Sequence, residues 1–285
     1  MFDALVIGGG PAGLQAALTL GRMHRTAVVV DSGSYRNGTV DHAHNFITHD
    51  GRPPADIRRL ALADVAAYPS VEYRTGTVAS VTETTAHFVA TVDGASIEAR
   101  TLILATGLKD TLPQVPGLAE AWGREVASCP FCHGHEFSGR PVGLLGSGPQ
   151  VPMLTAMLAA IASEVVRIED GELARVERVP DGLRLTLADR TRIEVAGLFV
   201  HPELSQAAPF AEQLGLAMLP SGCIRIDALG STSNPRVFAA GDLAHVPELP
   251  APMAAVLVAA AAGLIAAASV VRLLAAESES GRERP

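Results

Sequence analysis

Cysteine is scarce in this chain, and basic residues never cluster. Three cysteines among 285 residues cannot build a disulfide scaffold. Two of them, Cys129 and Cys132, stand three positions apart, which points to redox or metal chemistry instead. Lys and Arg total 22 against 30 Asp and Glu, a formal net charge of −8. With no basic run, nucleic acid is not an expected partner. The start lacks a basic leader and a small-residue cleavage site, so a cytoplasmic chain is expected. No tandem repeat of solenoid length occurs. The mean hydropathy of +0.27 raises the question of a membrane. Its one serious candidate is Met253 to Ala276, mostly alanine, with Gly263 inside and Arg272 near the end. Alanine inserts weakly, so a buried helix of a soluble protein is expected, with no membrane partner.

What is present suits an α/β protein: 48% hydrophobic residues, 27 Gly and 19 Pro. The length accommodates two domains. Phe2 to Ile7 reads as a strand, Leu14 to Arg22 as a helix, and Thr26 to Val30 as a second strand ending at Asp31. A helix over Asp56 to Tyr68 and three β-rich runs to Leu104 follow. The proline-bounded LPQVPG, Leu112 to Gly117, is the first boundary candidate. Beyond it lie CPFCHGHEF, a strand from Pro141, the turn GSGPQVP, a helix to Ala162 and a strand from Glu164 to Ile168. The tail ESESGRERP is polar and expected to fray.

The first glycine motif has a physical purpose. Gly8, Gly10 and Gly13 set the G-x-G-x-x-G spacing between two strands. Such glycines tighten the turn and let backbone approach a pyrophosphate at a helix N-terminus. Asp31 closes the second strand, where a carboxylate accepts from a ribose hydroxyl. LILATG (Leu102 to Gly107) and VFAAGD (Val237 to Asp242) are two more apolar strands ending in small-residue turns. Asp242 suits the ribityl chain of FAD, and the helix after it is expected to point its N-terminal end at the cofactor.

CPFC can close a small-ring disulfide, and His133 directly after it can take or give a proton near neutral pH. The rival reading is zinc, held by Cys129, Cys132 and one or both of His133 and His135. No second Cys/His cluster is present to complete that shell, which favours redox. Cys223 stands alone and reads as a small buried hydrophobe. His42, His44 and His49 share a loop and read as polar loop residues near the flavin.

In this order the motifs resemble the low-molecular-weight thioredoxin reductases over nearly the whole chain. That resemblance implies two Rossmann-like domains, with an FAD domain (1–112 and 226–285) split around a second domain (113–225) carrying the CxxC. It implies a homodimer. It also implies an FAD lining of Gly8, Gly10, Pro11, Ala12, Gly13, Asp31, Ser32, Asn45, Val78, Thr106, Gly107, Gly241 and Asp242. Cys132 would lie against the flavin, and Cys129 would exchange with substrate.

Two departures refine the expectation. Thioredoxin reductases usually carry an aspartate after the second cysteine, where this chain has His133. CPFCHG resembles the dithiol oxidases that close disulfides in gliotoxin-like and holomycin-like natural products. The second turn keeps Gly146 and Gly148 but has Val151 at a position normally small, with Pro149 and Pro152 crowding the helix start. The next strand ends in Glu169 and Asp170, where NADPH users of that family carry basic residues. A shortened second domain that holds no NADPH is expected. The leading function is a nicotinamide-independent FAD enzyme oxidising a small dithiol, with His133 as the candidate base and its neighbour His135 as a second candidate. Two rivals remain. One is a reductase of a thioredoxin-like protein fed by NADH or ferredoxin. The other is a non-catalytic protein that sequesters a dithiol.

Overall fold

The computed structural model describes the chain from Met1 to Arg282. It comprises two compact units. The first takes Met1–Arg36, Ala55–Lys109 and the chain from Leu204 onward; the second takes Asn37–Pro54 and Asp110–Glu203.

The first unit begins with β1 (Phe2–Ile7), α1 (Pro11–Arg22), β2 (Ala27–Asp31), α2 (Pro54–Ala66) and β3 (Val71–Thr75), then β4 (Val78–Glu83), β5 (Phe88–Val92) and β6 (Ala95–Leu104). Parallel pairing gives the order β3-β2-β1-β6. The first half of β6 pairs antiparallel with β5, which continues to β4. β1 and β2 are almost wholly apolar because both faces of a parallel sheet are covered. Leu5, Ile7, Val28 and Val30 enter one core, and Ala4, Val6, Ala27 and Val29 the other.

The chain leaves through β7 (Leu108–Thr111). The second unit contains β8 (Val126–Ala127), α3 (Pro130–His133), β9 (Pro141–Leu145), α4 (Val151–Ala159) and β10 (Glu164–Ile168). Then come β11 (Leu173–Val179), β12 (Gly182–Leu187), β13 (Arg192–Val195) and β14 (Gly197–Val200). A parallel sheet runs β10-β9-β14-β8, and β11-β12-β13 form an antiparallel sheet. β10 passes to β11 through a turn at Gly171 with no helix between them, as the shortened second domain requires.

The return brings β15 (Glu203–Gln206), α5 (Phe210–Gln213), β16 (Ile224–Arg225), β17 (Val237–Ala239), β18 (Ala244–His245) and α6 (Val256–Arg282). β17 adds to β6 in parallel and completes the seven-stranded sheet. Several expectations need correction here. Residues 204–225 belong to the first unit, because Phe210, Ala211, Leu216, Cys223 and Ile224 pack into its core. Residues 37–54 belong to the second unit, tied by an Ala43–Arg52 bridge and by Arg124, whose guanidinium donates to Asp41. The long helix does not start after Asp242; Pro247, Pro250 and Pro252 delay it to Val256.

Nor is α6 buried all round. Gly263 lets it approach α1 so closely that a Cβ there would sit 2.0 Å from the Ala12 carbonyl oxygen. Ala266, Ala267, Val270 and Leu274 are buried on that side, while Leu257, Val258, Leu264 and Ile265 are exposed. By length and composition the segment Val256–Ser280 would suffice to cross a membrane. The start of the polar tail is ordered: Glu277 accepts from Arg100 and Arg236 at 2.6 Å each, and the helix runs on to Arg282. Residues 283–285 of that tail lie outside the described residues.

Candidate functional site

The turn after β1 forms a cradle for a phosphate. Gly8 has φ +111, and a Cβ on it would stand 2.4 Å from the Ala105 carbonyl oxygen. A Cβ on Gly13 would meet the Gly8 carbonyl oxygen at 1.8 Å, so only glycine lets α1 start this close to the strand. At Gly10 a Cβ would meet nothing within 4 Å, leaving open space beside the start of α1. Gly10 is the helix N-cap and supplies no side-chain cap; Pro11 follows it, and the amides beyond remain available to an anion. Ala12 packs beneath, 3.1 Å from where a Gly241 Cβ would be. Thr106 and Gly107 follow β6, with Gly107 at φ +70, and Val78 starts β4, half-buried. These features fit FAD.

Asp31 ends β2 and is 3% exposed. Tyr73 donates to its Oδ2 at 2.6 Å, Tyr35 donates to the same oxygen, and the Gly33 amide donates to Oδ1 at 3.3 Å. Burial alone would raise its pKa; the two phenols and the amides of Gly9 and Gly33 outweigh burial and hold it below the usual carboxylate range. Burial and the same carboxylate push both phenols upward, Tyr73 strongly. Arg58 lies over the Tyr35 ring, 3.8 Å from its centroid. Ser32 is exposed, and its hydroxyl accepts from the Ser34 amide. Asp242 pairs with Arg36 at 3.0 Å. Cys223 is 1% exposed within the first-unit core, as a small apolar residue would be.

The dithiol lies in the second unit. Cys129 caps α3, and its carbonyl accepts from the amides of Cys132 and His133. This turn brings the two sulfurs to 2.7 Å. Two thiolates on one tetrahedral zinc would stand roughly 3.8 Å apart. Among the described residues no trio of His, Cys, Asp or Glu assembles as a metal site. The geometry therefore favours sulfur–sulfur exchange.

His133 is half-buried. Burial is the main cause holding its pKa below 6.5, opposed by the Gly123 carbonyl and Glu136. Its Nδ1 is sealed from solvent and has no hydrogen-bond partner. His133 lines a cleft of about 440 Å³ with Val40, His44, Glu125, Glu136 and Phe137. A second cleft of about 420 Å³ is lined by His44, Asn45, Asp50, Phe131, His135 and Glu136. His44 divides the two, 3.5 Å from Glu136 and 3.6 Å from Asp50. Asn45, at φ +59, donates its amide to Asp50 at 2.7 Å. His42, His44 and His49 thus group by contact with the dithiol's unit.

The second glycine turn is closed by the chain itself. The Ser147 amide donates to Asp170 Oδ2 at 3.1 Å, and the Asp170 amide donates to the Ser147 hydroxyl at 3.2 Å. Val151 begins α4 and is buried in that unit's core. Tyr35, Tyr73, Arg36 and Glu125 were not singled out from the sequence. Tyr35 and Arg36 follow the acid by four and five residues, and Glu125 precedes Cys129 by four.

The chain is similar to known proteins. A family model described as pyridine nucleotide-disulphide oxidoreductase matches residues 2–176 and 156–263. Thioredoxin reductase sirT of Leptosphaeria maculans is 32% identical over 285 aligned residues, covering 86% of this chain and 87% of its own. Thioredoxin reductase tcpT of Claviceps purpurea is 31% identical, covering 84% and 86%. The crystal structure of an oxidoreductase from Agrobacterium tumefaciens superposes with a TM-score of 0.87 at 30% identity, covering 96% of this chain and 98% of that one. The chain belongs to the pyridine nucleotide-disulphide oxidoreductase family, as a thioredoxin reductase-like, FAD-dependent oxidoreductase acting on sulfur groups.

Proposed function

We propose that the chain oxidises a small-molecule dithiol through Cys129 and Cys132, without a nicotinamide cofactor. The observation that carries this reading is the 2.7 Å approach of the two sulfurs in the turn that leads directly into His133, whose pKa burial holds below the ordinary histidine value. A neutral imidazole keeps one nitrogen lone pair that can take a proton. His133 takes the proton of the first substrate thiol; His135, exposed on the neighbouring cleft, is the alternative. The substrate thiolate attacks Cys129 of the oxidised pair and displaces Cys132 as thiolate. The second substrate sulfur then attacks the mixed disulfide, leaves as the substrate disulfide, and returns Cys129 as a thiol. The cysteines then hold the two electrons, with Cys129 as thiol and Cys132 as thiolate, and His133 holds the second proton. FAD held there would supply a two-electron acceptor for the reduced pair, with dioxygen as the proposed final oxidant, taking up the two electrons and two protons as hydrogen peroxide. The residues proposed to hold it are Gly8, Gly10, Pro11, Ala12, Gly13, Asp31, Thr106, Gly107, Gly241 and Asp242.

Independence from NADPH is supported by the Ser147–Asp170 pairing, which sets a carboxylate where a nucleotide phosphate would bind, and by Glu169 beside it. A homodimer is proposed, supported by the apolar outer face of α6. The test is anaerobic titration of the yellow protein with a dithiol, NADH and NADPH in turn. Bleaching by dithiol alone is expected. Rapid bleaching by either nucleotide would establish the rival reductase, and a dithiol that binds without bleaching would establish sequestration.

A further inference from the structure

The carboxylate proposed to take a ribose hydroxyl of FAD is already enclosed by the chain's own donors. Tyr73 donates to Asp31 Oδ2 at 2.6 Å, Tyr35 donates to the same oxygen, and the Gly33 amide donates to Oδ1 at 3.3 Å. Gly9 closes another side, where a Cβ would stand 2.4 Å from Oδ2. Asp31 is 3% exposed as a result. A ribose hydroxyl must come within about 3 Å of a carboxylate oxygen to donate to it. One of these neighbours therefore has to give way.

The four are not equally free to move. Tyr73 lies in β3, its backbone registered beside Val29. Gly9 belongs to the tight turn after β1, and Gly33 meets Asp31 through its backbone two residues on. Tyr35 belongs to no helix or strand and follows Ser32, Gly33 and Ser34, all exposed. Its side chain is half-buried and is held by the Asp31 carboxylate at its hydroxyl and by Arg58 over its ring. A change of rotamer releases both contacts without disturbing the sheet.

We propose that Tyr35 gates the adenosine subsite of FAD: its hydroxyl keeps the place on Asp31 that a ribose hydroxyl takes, and its side chain turns away when FAD binds. This rests on the reading of Asp31 as an FAD residue and adds the residue that controls access to it. Phenol and ribose hydroxyl exchange as donors to one carboxylate, so the buried acceptor stays satisfied before and after. Binding draws only on molecules with Tyr35 turned away. That fraction lowers the association rate and the affinity alike and leaves dissociation untouched.

The experiment strips the full chain of flavin and recombines it with FAD, followed by flavin fluorescence. Tyr35→Phe keeps the ring beside Arg58 and removes the hydroxyl. Its association rate constant and its affinity for FAD should rise about five- to fiftyfold over wild type, with the dissociation rate constant unchanged. In calorimetry ADP, which carries the adenosine, should gain likewise, whereas FMN, which lacks it, should bind both proteins equally. Tyr35→Ala should act in the same direction. On wild type alone, a crystal structure with FAD bound should show the Tyr35 hydroxyl away from Asp31 and a ribose hydroxyl in its place. FAD affinity unchanged or lowered in both variants, equal gains for ADP and FMN, or Tyr35 still on Asp31 in that crystal structure overturns the gate. Any of these leaves Asp31 in the FAD site so long as Asp31→Ala weakens FAD binding. Wild-type FAD affinity in Asp31→Ala overturns both.

Discussion

Asp170 gives its carboxylate to the Ser147 amide, the position in a glycine turn that a nucleotide phosphate normally takes. The chain supplies its own anion there. Wild type should therefore show no thermal shift with millimolar NADH or NADPH. Asp170→Ser removes the competing carboxylate and is expected to give measurable ADP-ribose binding by calorimetry, with dithiol oxidation retained. Tight NADPH binding by wild type would contradict this account.

The two cysteines have separable duties under the proposed order of attack. In Cys132→Ser, Cys129 can still form a mixed disulfide but nothing resolves it toward FAD. Mass spectrometry after reaction with an activated disulfide should find that adduct on Cys129, with FAD bound and turnover abolished. Cys129→Ser should form no adduct with substrate. The reverse pattern would exchange the two roles.

Much of this was legible beforehand because turn chemistry is local. Gly8 and Gly13 are demanded by carbonyl oxygens only a few ångström away, and the cysteine pair needs only one helical turn. What escaped depends on register and distance. Tyr73 reaches Asp31 because β3 aligns Tyr73 beside Val29, a pairing across more than forty positions that no periodicity announces. Arg36 meets Asp242 across 206 positions. Phe210 and Leu216 enter the first core from a stretch whose strand and helix are four residues each, too short for a periodic signal. The late start of α6 was readable, since three prolines precede it.

Asp31 should be measurable as an FAD residue. Asp31→Ala removes a carboxylate serving several donors and is expected to weaken FAD binding about ten- to hundredfold, read by flavin fluorescence titration. Its folded pKa lies below 3.8, so its contribution to stability is present above that pH and is lost as pH falls through the folded value. The variant should flatten that acid limb in thermal unfolding. Unchanged FAD affinity would remove Asp31 from the site.

The outer face of α6 tests the homodimer. Leu264 and Ile265 are exposed apolar residues on a helix whose other side is buried against α1. Leu264→Glu should shift the protein toward monomer in light scattering at micromolar concentration, with unfolding temperature little altered. A wild type that is already monomeric would exclude the dimer.

His133 links pH to the thiol step. Burial holds its folded pKa below 6.5, so it stays neutral where an ordinary histidine would protonate. The acid limb of kcat/KM for a dithiol should accordingly have its midpoint below pH 6.5. Stability follows the same sign: the unfolded chain takes up the proton first, so stability falls as pH drops below 6.5 toward the folded value. His133→Ala should slow dithiol oxidation roughly 10²- to 10⁴-fold, the usual contribution of a positioned base. It should erase the acid limb and leave the variant relatively more stable than wild type near pH 5. A slowed enzyme that kept the same limb would transfer the base role to His135, which is exposed on the adjacent cleft.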